Sequence, residues 1–143
     1  MKQQLLILSM LIVPLACSVE SKPIDFGSDP CDECKMTIVD QRFAAEAVTN
    51  KGKVYKFDAI ECLVAFLKDK KEEDFKFLLV SDFLAKKLIP AQSAYFVISS
   101  SISSPMGGGM LAYETQQDAL NFQKDYMAEV FTWAEFRNFM HSK

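Results

Sequence analysis

Two stretches of this chain run through the same order of elements, and that recurrence limits the fold more than any other feature. In the first, residues 42–49 (RFAAEAVT) read as a strand, 50–53 (NKGK) as a turn and 53–57 (KVYKF) as a second strand. Residues 59–70 then place Ile60, Leu63, Val64 and Leu67 at helical spacing, and 75–80 (FKFLLV) return as a strand. In the second, residues 93–99 form a strand, 100–109 a Ser/Pro/Gly-rich loop and 110–113 a short strand. A helix over 115–127, a strand over 129–133 and a closing helix over 133–140 follow. Sliding the chain by 56 residues lays Phe57 on Tyr113, Asp58 on Glu114, Phe66 on Phe122, Lys68 on Lys124 and Asp69 on Asp125. The expectation is an α+β fold of two similar ββαβ units packed together, unit one over about residues 36–83 and unit two over about 92–140.

The first 16 residues are of another kind. Lys2 is followed by an apolar run over 5–16, shorter than the ~20 residues a membrane span needs, as in a secretory signal peptide. The run ends Pro14-Leu15-Ala16-Cys17, which resembles the lipobox of bacterial lipoproteins and makes Cys17 the expected lipidation site. Residues 17–29 read as the lipidated Cys and a flexible tether, and 30–143 as the folded domain. The expected location is the cell envelope, lipid-anchored to a membrane and facing the periplasm. The chain carries 16 basic and 19 acidic groups with no basic patch, so nucleic acid is not an expected partner. One His, and no Ser or Cys nucleophile with an obvious base, argue against an enzyme.

The chemistry concentrates in three places. The first is Asp29-Pro-Cys-Asp-Glu-Cys-Lys-Met36. Cys31 and Cys34 are close enough in sequence to face one centre, and Met36 adds a thioether. If residues 36–39 are a strand, Cys34 and Met36 lie on one side of an extended segment. Thiolate with thioether is a soft set suited to copper(I). Three other readings stay open: a thiol–disulfide oxidoreductase using Cys31 and Cys34, an inert disulfide between them, and zinc, which wants a fuller donor set. The β-type run after the motif counts against the redox reading, since a reactive Cys-x-x-Cys usually opens a helix. The second is Ser104-Pro-Met-Gly-Gly-Gly-Met110, where Met106 has little to pack against and is the better ligand candidate. Met110 either joins it or begins a strand. The third is Phe57-Asp58-Ala59-Ile60-Glu61-Cys62. Asp58 and Glu61 are explained equally by helix capping or by accessory roles, and Cys62 is either a small core residue or a third thiol. Met127 and Met140 fall at core positions, and His141 near an exposed end.

Taken together, Cys34-Lys35-Met36, Arg42-Phe43-Ala44-Ala45, Gly52-Lys53, Phe57-Asp58-Ala59-Ile60-Glu61-Cys62 and Pro105-Met106-Gly107, behind a lipoprotein leader, resemble the NosL family. These are lipid-anchored copper chaperones that help supply copper to nitrous oxide reductase. The resemblance spans about residues 31–139. It implies a pair of ββαβ units related to organomercurial lyase, copper(I) as cargo, and a metal site carried over to Cys34, Met36 and Met106; Cys31, which is not universal in the family, is left as a further ligand, a resolving thiol or incidental. It also implies a copper-receiving client, nitrous oxide reductase or its assembly machinery. The family often has Gly between the Cys and the Met, where this chain has Lys35.

Overall fold

The computed structural model describes residues 18–126 and 128–142. The leader, Cys17 and Met127 lie outside the described residues, and so do the expectations that fell on them.

Two antiparallel sheets carry the fold. The first has the order β2-β1-β3-β4, with β1 Ala45–Thr49, β2 Val54–Phe57, β3 Phe75–Ser81 and β4 Leu88–Pro90. The second has the order β6-β5-β7, with β5 Tyr95–Ile98, β6 Met110–Tyr113 and β7 Glu129–Thr132. Helix α1, Ile60–Leu67, joins β2 to β3, and α2, Gln116–Tyr126, joins β6 to β7. Helix α3, Trp133–His141, closes the chain. Each unit is therefore a ββαβ, and in each the first strand lies between the second and third.

The repeat is not uniform. Ala45 faces Phe57 across the first hairpin, and Tyr95 faces Tyr113 across the second. A constant slide of 56 residues thus matches β2 with β6 and the two helix starts, but not the strands before them. The longer second hairpin, whose loop carries Met106, absorbs the difference.

Both units feed one core. Phe57, Ile60 and Leu63 of the first cluster with Phe96, Met110, Trp133 and Phe136 of the second. Phe96 stacks on Phe136 with ring centroids 4.6 Å apart. Helix α1 (IECLVAFL) buries Ile60, Cys62, Leu63, Val64 and Leu67, because it meets both sheets rather than one. A smaller cluster of Phe43, Val97, Leu111, Tyr113 and Ala119 lies under α2. The sheets are joined at Asp82, which bridges in parallel to Ala112. Its buried carboxylate accepts the Glu114 N–H at 2.7 Å and the Leu84 N–H at 3.0 Å.

Three local expectations are corrected, and one strand, β4, was not anticipated. The first strand begins at Ala45 rather than at 42, because Asp40 holds Arg42 by its backbone N–H at 3.0 Å and its guanidinium at 2.7 Å and turns the chain there. Residues 36–39 are not a strand, and only an isolated antiparallel bridge between Pro30 and Thr37 forms. The three-residue β4 is too short to show a period. Residues 22–29, assigned to the tether, are tied down. The Lys22 N–H donates to Glu46 Oε1 at 3.3 Å, and Lys56 Nζ donates to the Pro23 carbonyl and Asp29 Oδ2, both at 2.6 Å. Ile24 and Phe26 pack against the main core. Among the described residues no helix is long and apolar enough to cross a membrane.

Candidate metal site

The site forms where the loop over 30–37 docks on the end of β2. The Cys31 N–H donates to the Met36 carbonyl at 2.7 Å and the Lys35 N–H to the Cys31 carbonyl at 3.0 Å, so the loop closes on itself. Asp32 clamps it to the sheet in both directions. Its N–H donates to the Lys56 carbonyl at 2.8 Å, and its Oδ2 accepts the Lys56 N–H at 2.7 Å. Lys56 stands two residues before Asp58, so this clamp sets Cys31 and Cys34 beside the start of α1.

There Cys31, Cys34, Asp58 and Cys62 converge, with one donor atom from each lying within 4.8 Å of all the others. Cys31 and Cys62 are buried, Cys34 is partly exposed, and all three are free thiols. The Cys34 thiol donates to Asp58 Oδ1 at 3.4 Å. Asp58 is only 2% exposed, and its Oδ2 is buried with no hydrogen-bond partner. Burial pushes the Cys34 thiol above its ordinary value, against the pull of the Met36 backbone N–H. It pushes Cys62 up much further, with Asp58 adding to the effect. In the metal-free protein these thiols hold their protons, and a metal that binds them must displace those protons.

The capping explanation of Asp58 and Glu61 fails. The residue at the N-cap of α1 is Ala59, in extended conformation and without a side-chain cap. Glu61 reaches instead to the loop of the second hairpin, where its Oε1 accepts the Ser104 hydroxyl and the Gly108 N–H, the latter at 3.1 Å.

The methionines are placed differently from the thiols. Met36 is 49% exposed, two residues after Cys34, and Met106 is 45% exposed on the loop that Glu61 holds. Cys34 and Met36 do not share an extended strand, because Lys35 between them has φ +67° and turns the chain. A left-handed residue there explains why glycine would suit the position. Met110 is buried in the first position of β6, opposite Ile98, and belongs to the core. From the sequence Cys62 and Asp58 are only possible accessory residues, and Asp32 is not singled out. A thiol one helical turn into α1 meets Cys31 only through tertiary structure, and no local spacing announces it.

The family described as NosL matches residues 24–140. The chain belongs to the NosL family. No curated protein matches it. Among solved structures, the crystal structure of the copper chaperone NosL from Shewanella denitrificans superposes with a TM-score of 0.70 at 24% identity. That alignment covers 82% of this chain and 96% of the other. The likeness extends over nearly the whole of that fold, including both ββαβ units of this NosL protein.

Proposed function

We propose that this NosL protein is a copper(I) metallochaperone, not an enzyme, held to a membrane of the cell envelope by a lipid on Cys17 and facing the periplasm. Its client is nitrous oxide reductase or the machinery that assembles it. The observation that carries the reading is the convergence of three free thiols and the buried Asp58 carboxylate, one donor atom from each within 4.8 Å, with one of the two carboxylate oxygens left without a partner. Thiolates are soft, anionic donors that favour copper(I) over magnesium or calcium. Cys34 is the partly exposed anchor beside the buried thiols of Cys31 and Cys62, and the exposed thioethers of Met36 and Met106 complete the set around the ion. A client's donor enters on the thioether side and takes the ion by ligand exchange.

The oxidoreductase alternative is disfavoured by the same geometry. A nucleophilic Cys-x-x-Cys thiol needs a lowered pKa, usually from a helix N-terminus or a cation. Here the motif sits in a loop that opens no helix, and burial raises Cys34.

A second metal reading has support of its own. Asp58 supplies the fourth donor that zinc requires and that sequence reasoning did not find. Competition titrations of the reduced chain with copper(I) and with zinc(II), each against a chelator, separate the two. One tight copper(I) equivalent that is lost in Cys34→Ser supports the chaperone. Tight zinc with copper(I) no better than the chelator overturns it.

A further inference from the structure

The loop over 99–109 is fastened at its neck and free at its tip. Ser104 is 4% exposed, and its carbonyl accepts the Gly107 N–H at 2.9 Å, closing a turn with Met106 in its third position. The Ser104 hydroxyl accepts the Gly109 N–H at 3.0 Å and donates to Glu61 Oε1, which also accepts the Gly108 N–H at 3.1 Å. One carboxylate oxygen on α1 therefore gathers the neck of a loop from the other unit.

The backbone is fitted to this knot. A Cβ on Gly108 would lie 2.8 Å from Glu61 Oε1, and a Cβ on Gly109, at φ +61°, would overlap the Ser99 carbonyl. The fold does not otherwise need Glu61: it does not cap α1, and its Oε2 is buried without a partner. Its chain neighbour is Cys62, and Asp58 stands just before the same helix.

We propose that Glu61 is the positioning residue of the site, clamping the neck of this loop so that the Met106 thioether at its tip closes over the metal held by the thiols. The proposal rests on the copper(I) reading above. Glu61 does not touch the ion. It fixes the distance between the turn of α1 that carries Cys62 and the loop that carries Met106. Without the clamp the tip samples positions away from the site, and the thioether is lost as a ligand although still present in the chain.

The test uses the full chain in detergent, reduced, with copper(I) alone as the probe. Chelator competition gives the affinity, and X-ray absorption at the copper edge gives the number of sulfur ligands. Glu61→Ala and Met106→Leu are each expected to weaken binding by about 10- to 100-fold, the usual range for loss of an outer support. Each is expected to remove one sulfur from the copper shell. The double variant is expected to be no weaker than either single one, because both delete the same ligand. Glu61→Gln, which keeps the accepting oxygen, is expected to bind nearly as the native chain does. Independent, multiplying losses would overturn the proposal, as would an unchanged sulfur count in Glu61→Ala. If Glu61→Ala loses its cooperative melt, Ser104→Ala takes its place in the same cycle. Tight copper(I) binding retained in Cys34→Ser would instead sink the metal reading itself, a distinct result.

Discussion

Asp58→Asn should make the metal-free protein more stable. The carboxyl is 2% exposed, one oxygen accepts the Cys34 thiol hydrogen at 3.4 Å, the Cys62 thiol also lies against the carboxyl, and the other oxygen has no hydrogen-bond partner. A buried polar group left without a partner costs about 1–3 kcal/mol. Asparagine keeps the shape and the oxygen that faces Cys34, and it replaces the orphaned oxygen with an amide. That amide finds only sulfur acceptors among Cys31, Cys34 and Cys62, so the gain falls near the lower end, about 1 kcal/mol. For a domain of this size that is a rise in Tm of roughly 4 °C.

Metal separates the two readings of the site. A ligand at a thousandfold excess over its Kd stabilises the folded state by about 4 kcal/mol. With zinc(II) most of that increment should vanish in Asp58→Asn, because the fourth donor is gone. With copper(I) most of it should remain, because the thiols remain. The assay is anaerobic thermal unfolding of the reduced chain, native and variant, without metal and with each ion. A metal-free Asp58→Asn protein less stable than the native one would refute the reasoning, since it would show that the carboxylate serves the fold.

Four further outcomes follow from the geometry. Lys35→Gly should stabilise the chain by about 0.5–1 kcal/mol in urea unfolding, since the left-handed backbone at φ +67° costs a side-chain-bearing residue more than glycine's extra unfolded entropy; a loss of stability would mean that the Lys35 bond to the Asp32 carbonyl outweighs the strain. Thr132→Ala should cost about 1 kcal/mol by breaking the capping box with Glu135 at the start of α3, seen as a lower urea midpoint at unchanged slope. Lys56→Met should cost about 1 kcal/mol and expose residues 22–30 to protease. Because the Lys56 hydrogen bond lowers the Asp29 pKa, this contribution is present above the ordinary Asp value and is lost only as the pH falls below it through the folded value, so native and variant should converge in strong acid. Iodoacetamide should alkylate Cys34 of the metal-free protein more slowly than a free cysteine at pH 8, with the rate rising only above the ordinary thiol range, because burial raises that pKa; mass spectrometry reads the outcome, and rapid labelling at neutral pH would contradict the assignment.

What was legible in the sequence was what is local. Helical spacing located α1 and α2, and the two-residue period and turn residues located most strands to within a few positions. The 110–113 strand was placed at its observed bounds because a glycine run stops it on one side and a helix start on the other. What failed was local reasoning applied to positions that tertiary structure controls. Asp58 with Glu61 has the spacing of a capping pair, yet Ala59 occupies the N-cap and both carboxylates turn elsewhere. Residues 36–39 have strand composition, yet Lys35 bends the chain and the segment finds no ladder. Cys62 looked like a core residue and is one, at 1% exposure, while its sulfur also faces Cys31, Cys34 and Asp58. Burial and function do not exclude each other for a thiol.

The repeat supplies an internal control on these assignments. Under the slide that matches the helix starts, Asp58, Ala59, Glu61 and Cys62 fall on Glu114, Thr115, Gln117 and Asp118. In unit two these side chains make local structure. The Thr115 hydroxyl accepts the Asp118 N–H at 3.1 Å and donates to its carboxylate at 2.6 Å, Glu114 pairs with Lys87 at 2.6 Å, and Gln117 reaches one turn along to Asn121 at 2.9 Å. In unit one the same positions make no cap, leave two buried carboxylate oxygens without partners, and carry a thiol into a cluster of thiols. Two helices with the same place in the same unit have thus been given opposite treatment. The one that completes its own hydrogen bonds lies away from the cysteines. The one that leaves them incomplete lies beside them. An unsatisfied buried group is a cost, and the counterparts of Asp58 and Glu61 56 residues later, Glu114 and Gln117, avoid it by pairing with Lys87 and Asn121. At α1 the incomplete set is what a bound ligand would complete, with Asp58 and the thiols as its donors.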